Sequence, residues 1–302
     1  MNYFKNKNFL IKNKFFVLKR VFFIILSIIT RKIENIFFFF INKKSYSNKK
    51  ILIIIGTPRC GSTIIYQFLT RTIRSEYYSN LHQLIPQSAT YLHQNIKKKS
   101  KLNENLINIY GHTENLFDVN EANEMINFWF KTKKIKEIRK RFYKSMQYFK
   151  NGETNLIILK NLSLYDKIYK LHKAVPEIIF LHISRNQQST IESVVRTYLD
   201  LGYFNFPPNE LKNKKYNVIK YSTKYIQTVS RIIANQLYKI NNKNIIYFSY
   251  EKFCKNPYDL VTKLKYKIKF ELKNKNLKLK IRQSPRKKVS REDKVRLEKI
   301  LK

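Results

Sequence analysis

The feature that most constrains this chain is an apolar run that ends abruptly in a loop framed by two glycines. Residues 51–55 are Ile-Leu-Ile-Ile-Ile, a short β-branched run of the kind that forms a strand buried on both faces. From Ser62 onward, apolar residues recur at helical spacing. The loop between these two segments contains Gly56, Arg59 and Gly61. The pattern predicts a strand, a tight loop and a helix start in immediate succession.

This loop is suited to binding an anion. Gly56 and Gly61 permit tight turns and let backbone N–H groups approach a ligand closely. The first turn of the helix adds N–H groups and a partial positive charge, and Arg59 adds a full one. The loop nevertheless differs from a nucleoside-triphosphate loop, because Ser62 stands where that motif has its lysine.

The ends of the other predicted strands also disfavour an ordinary ATPase or kinase. Three further apolar runs have the length of strands: residues 156–159, 178–183 and 245–248. They lead into Lys160, Arg185 and Ser249 instead of an aspartate placed to hold Mg²⁺. Because helical patterns separate the runs, we expect a parallel sheet with right-handed crossovers. The predicted fold class is α/β, a P-loop-type three-layer fold with a central parallel sheet flanked by helices.

A second strand-to-helix turn predicts a further anion site. Arg185 follows the run 178–183, and Ser193 lies eight residues later on the helix predicted to come next. An arginine can bind one phosphate through two N–H groups while a serine hydroxyl donates a single hydrogen bond. Each of the two turns therefore offers a place for an anionic group.

These motifs resemble those of the sulfotransferases that use 3′-phosphoadenosine 5′-phosphosulfate (PAPS). Residues 58–63, Pro-Arg-Cys-Gly-Ser-Thr, are similar to the 5′-phosphosulfate loop of that family, and Arg185 with Ser193 has the spacing of its 3′-phosphate site. Weaker likenesses are the strand end at residues 159–161 and the segment at residues 247–257. The resemblance extends over roughly residues 50–265, with the motifs in the expected order.

The chain departs from the family pattern in both motifs. Cys60 and Ser62 replace the more usual Ser or Thr and Thr, which keeps the loop small but changes its hydroxyl groups. Residues 186–188 are Asn-Gln-Gln where the family usually continues with Asp-Pro, so the second turn is less rigid.

The resemblance implies PAPS as the co-substrate, without a metal. The donor-binding residues that it implies are Arg59, Cys60, Gly61, Ser62, Thr63, Arg185 and Ser193. Arg59 would also be catalytic, because it would stabilise negative charge on the leaving phosphate. The acceptor would be a hydroxyl or an amine, and a carbohydrate or lipid-linked sugar is the favoured class.

A general base is needed to take the proton of the acceptor. The candidates are the ionisable residues of the segment after the first helix: His82, His112, Glu114 and Glu121. We favour Glu121 or His112, because residues 111–130 hold the only tryptophan and a group of acids in a basic chain.

Two other function classes stay open on the sequence. One is a nucleotide kinase-like P-loop enzyme, and the other is a non-catalytic protein that binds nucleic acid or membrane on a degenerate P-loop scaffold. The net charge of +41 is compatible with an anionic partner. The lysines are spread along the chain among many Asn and Ile residues, as in a compositionally biased genome, and no RNA-binding or zinc-ligand spacing accompanies them. We therefore expect no specific nucleic-acid partner.

Residues 1–48 differ from the rest and are treated as a separate segment, with the sulfotransferase-like domain at residues 49–302. Apolar blocks with basic flanks suggest three interpretations: a helix lying on a membrane, a signal anchor, or a helix packed on the core. We favour the first, in a cytoplasmic protein held peripherally at an anionic membrane surface. The two cysteines, Cys60 and Cys254, are compatible with a reducing compartment. Residues 42–50 are predicted to be the linker.

The last part of the chain has mixed signals. Asn256-Pro257 is typical of a helix start, whereas the apolar residues from Leu264 to Leu272 alternate as in a strand. Ser290 and Asp293 suggest a final helix, and the basic residues 286–288 lie just before it. By the family resemblance these basic residues would cover the 3′-phosphate, although a solvated charge run is the simpler interpretation.

Overall fold

Five parallel strands form one sheet in the part of the chain that the structure describes. They are β1 (Lys50–Gly56), β2 (Glu76–Tyr77), β3 (Leu156–Lys160), β4 (Ile179–Ser184) and β5 (Ile245–Ser249). The structure is a computed structural model, and it describes residues 18, 21–22, 25–30, 32–34, 49–97, 115–149, 152–202, 204, 207–211, 217–274 and 277. The strand order is β2-β3-β1-β4-β5, so β1 is the central strand.

Helices connect the strands. Among the described residues after Lys49 they are α1 (Ser62–Thr72), α2 (Asn80–Leu84), α3 (Ala89–Lys97), α4 (Asn123–Trp129), α5 (Ile135–Met146), α6 (Ile168–Ala174), α7 (Gln187–Leu201), α8 (Val218–Tyr238), α9 (Tyr250–Lys255) and α10 (Tyr258–Lys265). Short 3₁₀ turns lie at Gln147–Phe149, Asn209–Leu211 and Asn242–Asn244.

The sheet is covered on both faces, which makes the molecule three-layered. Successive side chains of a strand point to opposite faces. On β1, Ile51, Ile53 and Ile55 face a core that includes residues of α4 to α8. Leu52 and Ile54 face a second core, formed with α1, α9 and α10. Burial of β1 on both sides accounts for its unbroken apolar run.

The structure confirms the predicted architecture and corrects some details. The four long strands lie where the sequence placed them, with helices between them as expected, and Trp129 is a fully buried core residue. The strand expected from Leu264 is wrong, because α10 continues through Lys265 and only an isolated bridge joins Leu272 to Ile73. The apolar residues of α10 pack in the core on the α1 side of the sheet. Leu264 therefore belongs to a helical apolar face, and the alternation that begins at this residue does not mark a strand.

The predicted linker at residues 42–50 is also too long. Lys50 begins β1, and the buried Lys49 ammonium donates hydrogen bonds to the carbonyls of Phe149 at 2.8 Å and Gly152 at 2.7 Å. The rest of that linker, the final helix near Ser290 and the basic residues 286–288 lie outside the described residues.

Part of the N-terminal segment is helical and contacts the domain. Residues 25–30 and 32–34 are helical. The Thr30 hydroxyl donates to the carbonyl of Leu84 at 2.7 Å, and the Glu34 carboxylate accepts from the backbone N–H groups of Gln87 at 3.1 Å and Ser88 at 2.7 Å. Within the described ranges, no helix combines the length and apolar character needed to cross a membrane.

Ser145 gives a test of the core packing around the only tryptophan. The Trp129 indole N–H donates to the Ser145 hydroxyl at 2.7 Å, and both side chains are fully buried. The substitution Ser145→Ala leaves the indole N–H without its acceptor, so we expect the free energy of unfolding to fall by about 1–3 kcal/mol. Urea denaturation followed by circular dichroism measures this change.

A matched control is Ser222→Ala, which alters another fully buried serine. The hydroxyl of Ser222 has no hydrogen-bond partner among the described residues. Its removal is expected to leave stability unchanged or slightly raised, because no bond is lost and a polar group leaves the core. Equal destabilisation by both substitutions would contradict the assigned role of Ser145.

Candidate active site

The loop after β1 is built around two glycines that accept no side chain. A Cβ on Gly56 would lie 2.6 Å from the carbonyl oxygen of Ile183, on the neighbouring strand β4. A Cβ on Gly61 would lie 2.2 Å from the Tyr250 ring, and the φ angle of Gly61 is +88°. Both positions therefore need glycine, one for strand packing and the other for contact with the first residue of α9.

Arg59 adopts a backbone conformation that is unfavourable for arginine. Its φ angle is +69°, in the left-handed region, where an L-residue with a side chain is strained. Strain of this kind, on the order of 1–2 kcal/mol, is typical of functional loops. Arg59 lies three residues after Gly56, the last residue of β1, so its loop stands at the carboxyl end of that strand.

The two predicted anion sites meet at this loop. The Nε of Arg59 donates to the Ser193 hydroxyl at 3.2 Å. The Nη1 of Arg185 donates to the Arg59 carbonyl at 2.9 Å, and its guanidinium lies over the Tyr250 ring, 4.8 Å from the ring centroid. The structure thus brings together Arg59, Arg185 and Ser193, which the sequence had placed on different elements.

The residues at the start of α1 divide between the site and the core. The hydroxyl of Thr63 accepts a hydrogen bond at the site, as described below, whereas Ser62 is buried. Cys60 is fully buried beneath the loop, and burial raises the pKa of its thiol, so it stays protonated. Any contact of Cys60 with a donor would therefore involve its backbone, whose N–H closes a turn with the Thr57 carbonyl at 3.2 Å.

A buried ion pair lies beside the loop. Lys160, at the carboxyl end of β3, has a side chain that is only 2% exposed. Its ammonium donates to the Thr63 hydroxyl at 2.9 Å and forms a salt bridge with the Glu121 carboxylate. Lys160 is therefore a buried lysine at the site and does not reach solvent. Glu121 is brought next to the start of α1 by this contact.

The backbone around Glu121 is held by the residue after Lys160. The Asn161 side-chain amide donates to the carbonyl of Glu121 and to the side chain of Asn123, both at 2.8 Å. Ala122 has a φ angle of +53°, and its N–H donates to the Asn120 side chain at 3.1 Å. This second left-handed residue turns the chain from Glu121 into α4.

Polar side chains adjoin Glu121 on the side of α2. The Asn120 amide donates to the side-chain oxygens of Asn80 at 2.8 Å and Gln83 at 3.1 Å, and we call these three residues the amide cluster. Gln83 in turn donates to Glu124 at 3.3 Å. All members of the amide cluster are partly exposed.

A protein-family model described as Sulfotransferase family matches residues 52–272. The chain belongs to the sulfotransferase family. The matched range contains both anion turns, the Lys160–Glu121 pair and the amide cluster. Family membership makes the protein an enzyme of the transferase class and implies PAPS as the donor.

Two bacterial sulfotransferases of known structure share the fold of this sulfotransferase. Sulfotransferase STF1 from Mycobacterium tuberculosis H37Rv has a TM-score of 0.54 and 12% identity, over 80% of this chain and 72% of that one. Sulfotransferase STF9 from Mycobacterium avium has a TM-score of 0.52 and 12% identity, over 84% of this chain and 68% of that one. At such low identity the likeness concerns the fold alone. No curated protein is similar enough in sequence to match the chain.

The residues of this sulfotransferase fit a donor of the PAPS type. The loop ends at Gly61, directly before the N-terminus of α1, where backbone N–H groups can meet an anion. Arg59 and Arg185 place two guanidinium groups at this loop, and the Ser193 hydroxyl on α7 contacts Arg59. A donor with anionic groups at two separate positions requires such a divided set of cations.

The other candidate bases differ in their placement. His82 is buried, and its ring nitrogens contact Ser79 at 2.9 Å and Thr90 at 3.0 Å. Burial, with a smaller contribution from His93, lowers the pKa of His82 well below its ordinary value, so the ring stays neutral. His112 and Glu114 lie outside the described residues. Of the two favoured candidates, Glu121 and His112, Glu121 is the one that the described residues place next to the loop.

Two features of the site were missed by sequence reasoning. Tyr250 packs its ring between Gly61 and Arg185, and burial raises the pKa of its hydroxyl to about 12. The amide cluster joins residues of α2 to the segment before α4. No spacing in the sequence indicates either contact, because each joins residues that are far apart along the chain.

Arg59 allows backbone strain to be separated from charge. Both Arg59→Gly and Arg59→Ala remove the guanidinium, but only glycine relieves the strain at a φ of +69°. We expect the free energy of unfolding of the glycine variant to exceed that of the alanine variant by on the order of 0.5–1 kcal/mol. Urea denaturation measures this difference.

The same two variants test the charge. Both are expected to bind adenosine 3′,5′-bisphosphate, the desulfated donor, about tenfold or more weakly than the wild type in calorimetric titration. If the alanine variant bound the nucleotide as tightly as the wild type, the Arg59 side chain would have no part in donor binding.

Proposed function

We propose that this sulfotransferase transfers the sulfuryl group of PAPS to a hydroxyl group of an acceptor. The observation that carries the proposal is the convergence of Arg59, Arg185 and Ser193 at one loop, with the Lys160–Glu121 pair next to it. The first three residues supply donor binding. The pair supplies a cation and a carboxylate where the acceptor would meet the donor.

The donor supplies a sulfuryl group bonded to a phosphate that departs in an in-line displacement. In this reaction type the protein contributes positioning and charge stabilisation more than covalent chemistry. Arg59 would stabilise the charge that develops on the leaving phosphate, with backbone N–H groups at the start of α1. Arg185 and Ser193 would hold the 3′-phosphate, which fixes the donor in the loop.

Glu121 would serve as the general base. Its carboxylate takes the proton of the acceptor hydroxyl as the acceptor oxygen bonds to sulfur and the bond from sulfur to the leaving phosphate oxygen breaks. Lys160 is close enough to contact both Glu121 and Thr63. It would therefore hold the base beside the loop and offset negative charge in a nearly dry position. His112 stays a second prediction for this role.

The amide cluster supports a carbohydrate or lipid-linked sugar as the acceptor. Asn80, Gln83 and Asn120 combine donors and acceptors of hydrogen bonds beside Glu121. Hydroxyl-rich ligands need such mixed polar groups. An amine acceptor would use the same base, and the geometry favours it less because the cluster offers several partners for neutral hydroxyls.

The proposal also keeps the enzyme in the cytoplasm and next to an anionic membrane surface through residues 1–48. Support comes from the high net charge and from the basic flanks of the apolar blocks in that segment. The donor site lies in the domain and does not depend on this attachment.

Donor recognition can be measured without knowing the acceptor. Adenosine 3′,5′-bisphosphate is expected to stabilise the protein by about 2.7 kcal/mol at roughly one hundred times its Kd, whereas ATP with Mg²⁺ gives little stabilisation. Arg185→Ala should abolish most of the effect. Differential scanning fluorimetry with a nucleotide titration measures it.

The control for this prediction is Arg231→Ala, which removes an exposed arginine paired with Glu210 on the surface. It should leave the nucleotide effect unchanged. Stabilisation by ATP with Mg²⁺ but not by adenosine 3′,5′-bisphosphate would contradict the proposal and favour a nucleotide kinase.

The role of Glu121 predicts a loss of turnover with intact donor binding. We expect Glu121→Gln to lower kcat by about 10²–10⁴-fold, the usual contribution of a general base. Binding of adenosine 3′,5′-bisphosphate should stay unchanged, because the amide still offers an oxygen to Lys160. Transfer from radiolabelled PAPS to a panel of carbohydrate acceptors measures kcat.

Glu137→Gln is the matched control, since Glu137 lies on the first turn of α5 outside the site. It should keep wild-type kcat. Full activity of the Glu121 variant would show that Glu121 is not the general base and would favour His112 instead.

A further inference from the structure

The N-terminal helical residues have their polarity inverted relative to an ordinary surface helix. Ser27 and Glu34 are buried, and Thr30 and Glu34 bond to the domain. Among the apolar residues of the same segment, Val21 and Leu26 are only partly exposed. Six others point outward, and each is more than half exposed: Leu18, Phe22, Ile25, Ile28, Ile29 and Ile33. We call these six residues the apolar stripe. A surface helix normally buries its apolar side and exposes its polar one.

The spacing of the apolar stripe corresponds to one side of a helix. Apart from Ile28, successive members are three or four residues apart, which places them one above another along a helical face. Large exposed apolar patches are uncommon on soluble monomers and mark interaction sites. Because polar contacts fix the opposite side to the domain, the stripe cannot turn inward without breaking the bonds of Thr30 and Glu34.

We propose that the apolar stripe is a docking face that lies on the surface of an anionic lipid bilayer. Two observations point to this partner. The segment that carries the stripe also contains Lys19, Arg20, Arg31 and Lys32, and Lys32 is exposed next to Ile33. Apolar side chains that enter the boundary of the bilayer, with lysine and arginine beside them, are the combination by which amphipathic helices bind anionic lipids.

The charge of the chain disfavours a second copy as the occupant. Each molecule carries a net charge of +41, so two copies that meet through this face would repel one another. The same charge attracts the protein to an anionic surface. One face of a single helix is also a small area for a stable protein dimer.

The docking face is connected to the candidate active site by short contacts. Thr30 bonds to Leu84 at the end of α2, and α2 also carries Asn80 and Gln83 of the amide cluster. The helix that carries two members of the amide cluster therefore also contacts the segment that bears the docking face. This inference rests on the membrane attachment in the proposed function and names its docking face, whereas lipid binding is expected whether or not the chain transfers sulfuryl groups.

Vesicle sedimentation with the full chain tests the docking face. We expect the protein to bind phosphatidylcholine vesicles that contain phosphatidylserine, and to bind vesicles of phosphatidylcholine alone more weakly. The double substitution Ile25→Asp with Ile29→Asp should weaken binding to the anionic vesicles about tenfold or more. Binding of the wild type should fall as salt rises, because salt screens the electrostatic contribution.

The matched control is Tyr238→Asp with Tyr266→Asp, which places two equal charges on exposed aromatic residues outside the stripe. This control lowers the net charge by the same amount, so it should weaken vesicle binding only slightly. Thermal unfolding and binding of adenosine 3′,5′-bisphosphate should match the wild type in both double variants. These readouts separate a failure of the docking face from a failure of the donor site.

Three results would overturn the proposal. Equal loss of vesicle binding in the two double variants would make the effect one of net charge alone. Absence of binding to both kinds of vesicle would remove the bilayer as the partner. A concentration-dependent dimer that only Ile25→Asp with Ile29→Asp converts to a monomer would assign the stripe to a contact between copies.

Discussion

The hydrogen bond from Arg185 to the carbonyl of Arg59 is the contact on which the candidate site depends. It joins the turn after β1 to the turn after β4, which are neighbours in the sheet. Arg59 and Gly61 both adopt left-handed conformations in the loop that carries this carbonyl. Tyr250 then closes the arrangement from β5, with its ring against Gly61 and under Arg185. Three adjacent strand ends are thereby fixed relative to one another before any donor binds, which reduces the ordering that binding requires.

The Lys160–Glu121 pair has a different physical character. Removing two charges from water costs several kcal/mol per ion, and their attraction often does no more than offset this. A fold that needed only packing at the end of β3 would use an apolar residue there. The pair is accordingly better explained by the site, where the Thr63 contact links it to α1 and the Asn161 amide holds the backbone of Glu121. Its position supports the roles proposed for the two residues.

Much of the sheet and half of the site were predictable because their signals are local. The run at residues 51–55, the glycines of the loop and the spacing from Arg185 to Ser193 are each contained within one short segment. The two-residue strand β2 was missed because Glu76–Tyr77 is too short to show a periodic pattern. The alternation of apolar residues from Leu264 predicted a strand, whereas Leu264 lies in the helix α10. The contacts of Tyr250 and the amide cluster were not predictable. They depend on which elements meet in the fold, and a single sequence does not contain that information.

The orientation of the N-terminal helix was not predicted, because composition does not fix which side of a helix faces the domain. Hydrogen bonds decide it here: Glu34 accepts two backbone N–H groups at residues 87 and 88, which a carboxylate does strongly. Burial of apolar side chains would favour the opposite orientation in water. The observed orientation is therefore the stable one only if the exposed side gains a partner that is itself apolar. A bilayer surface meets this condition, and its anionic lipids also balance the charge that keeps other copies of the chain away.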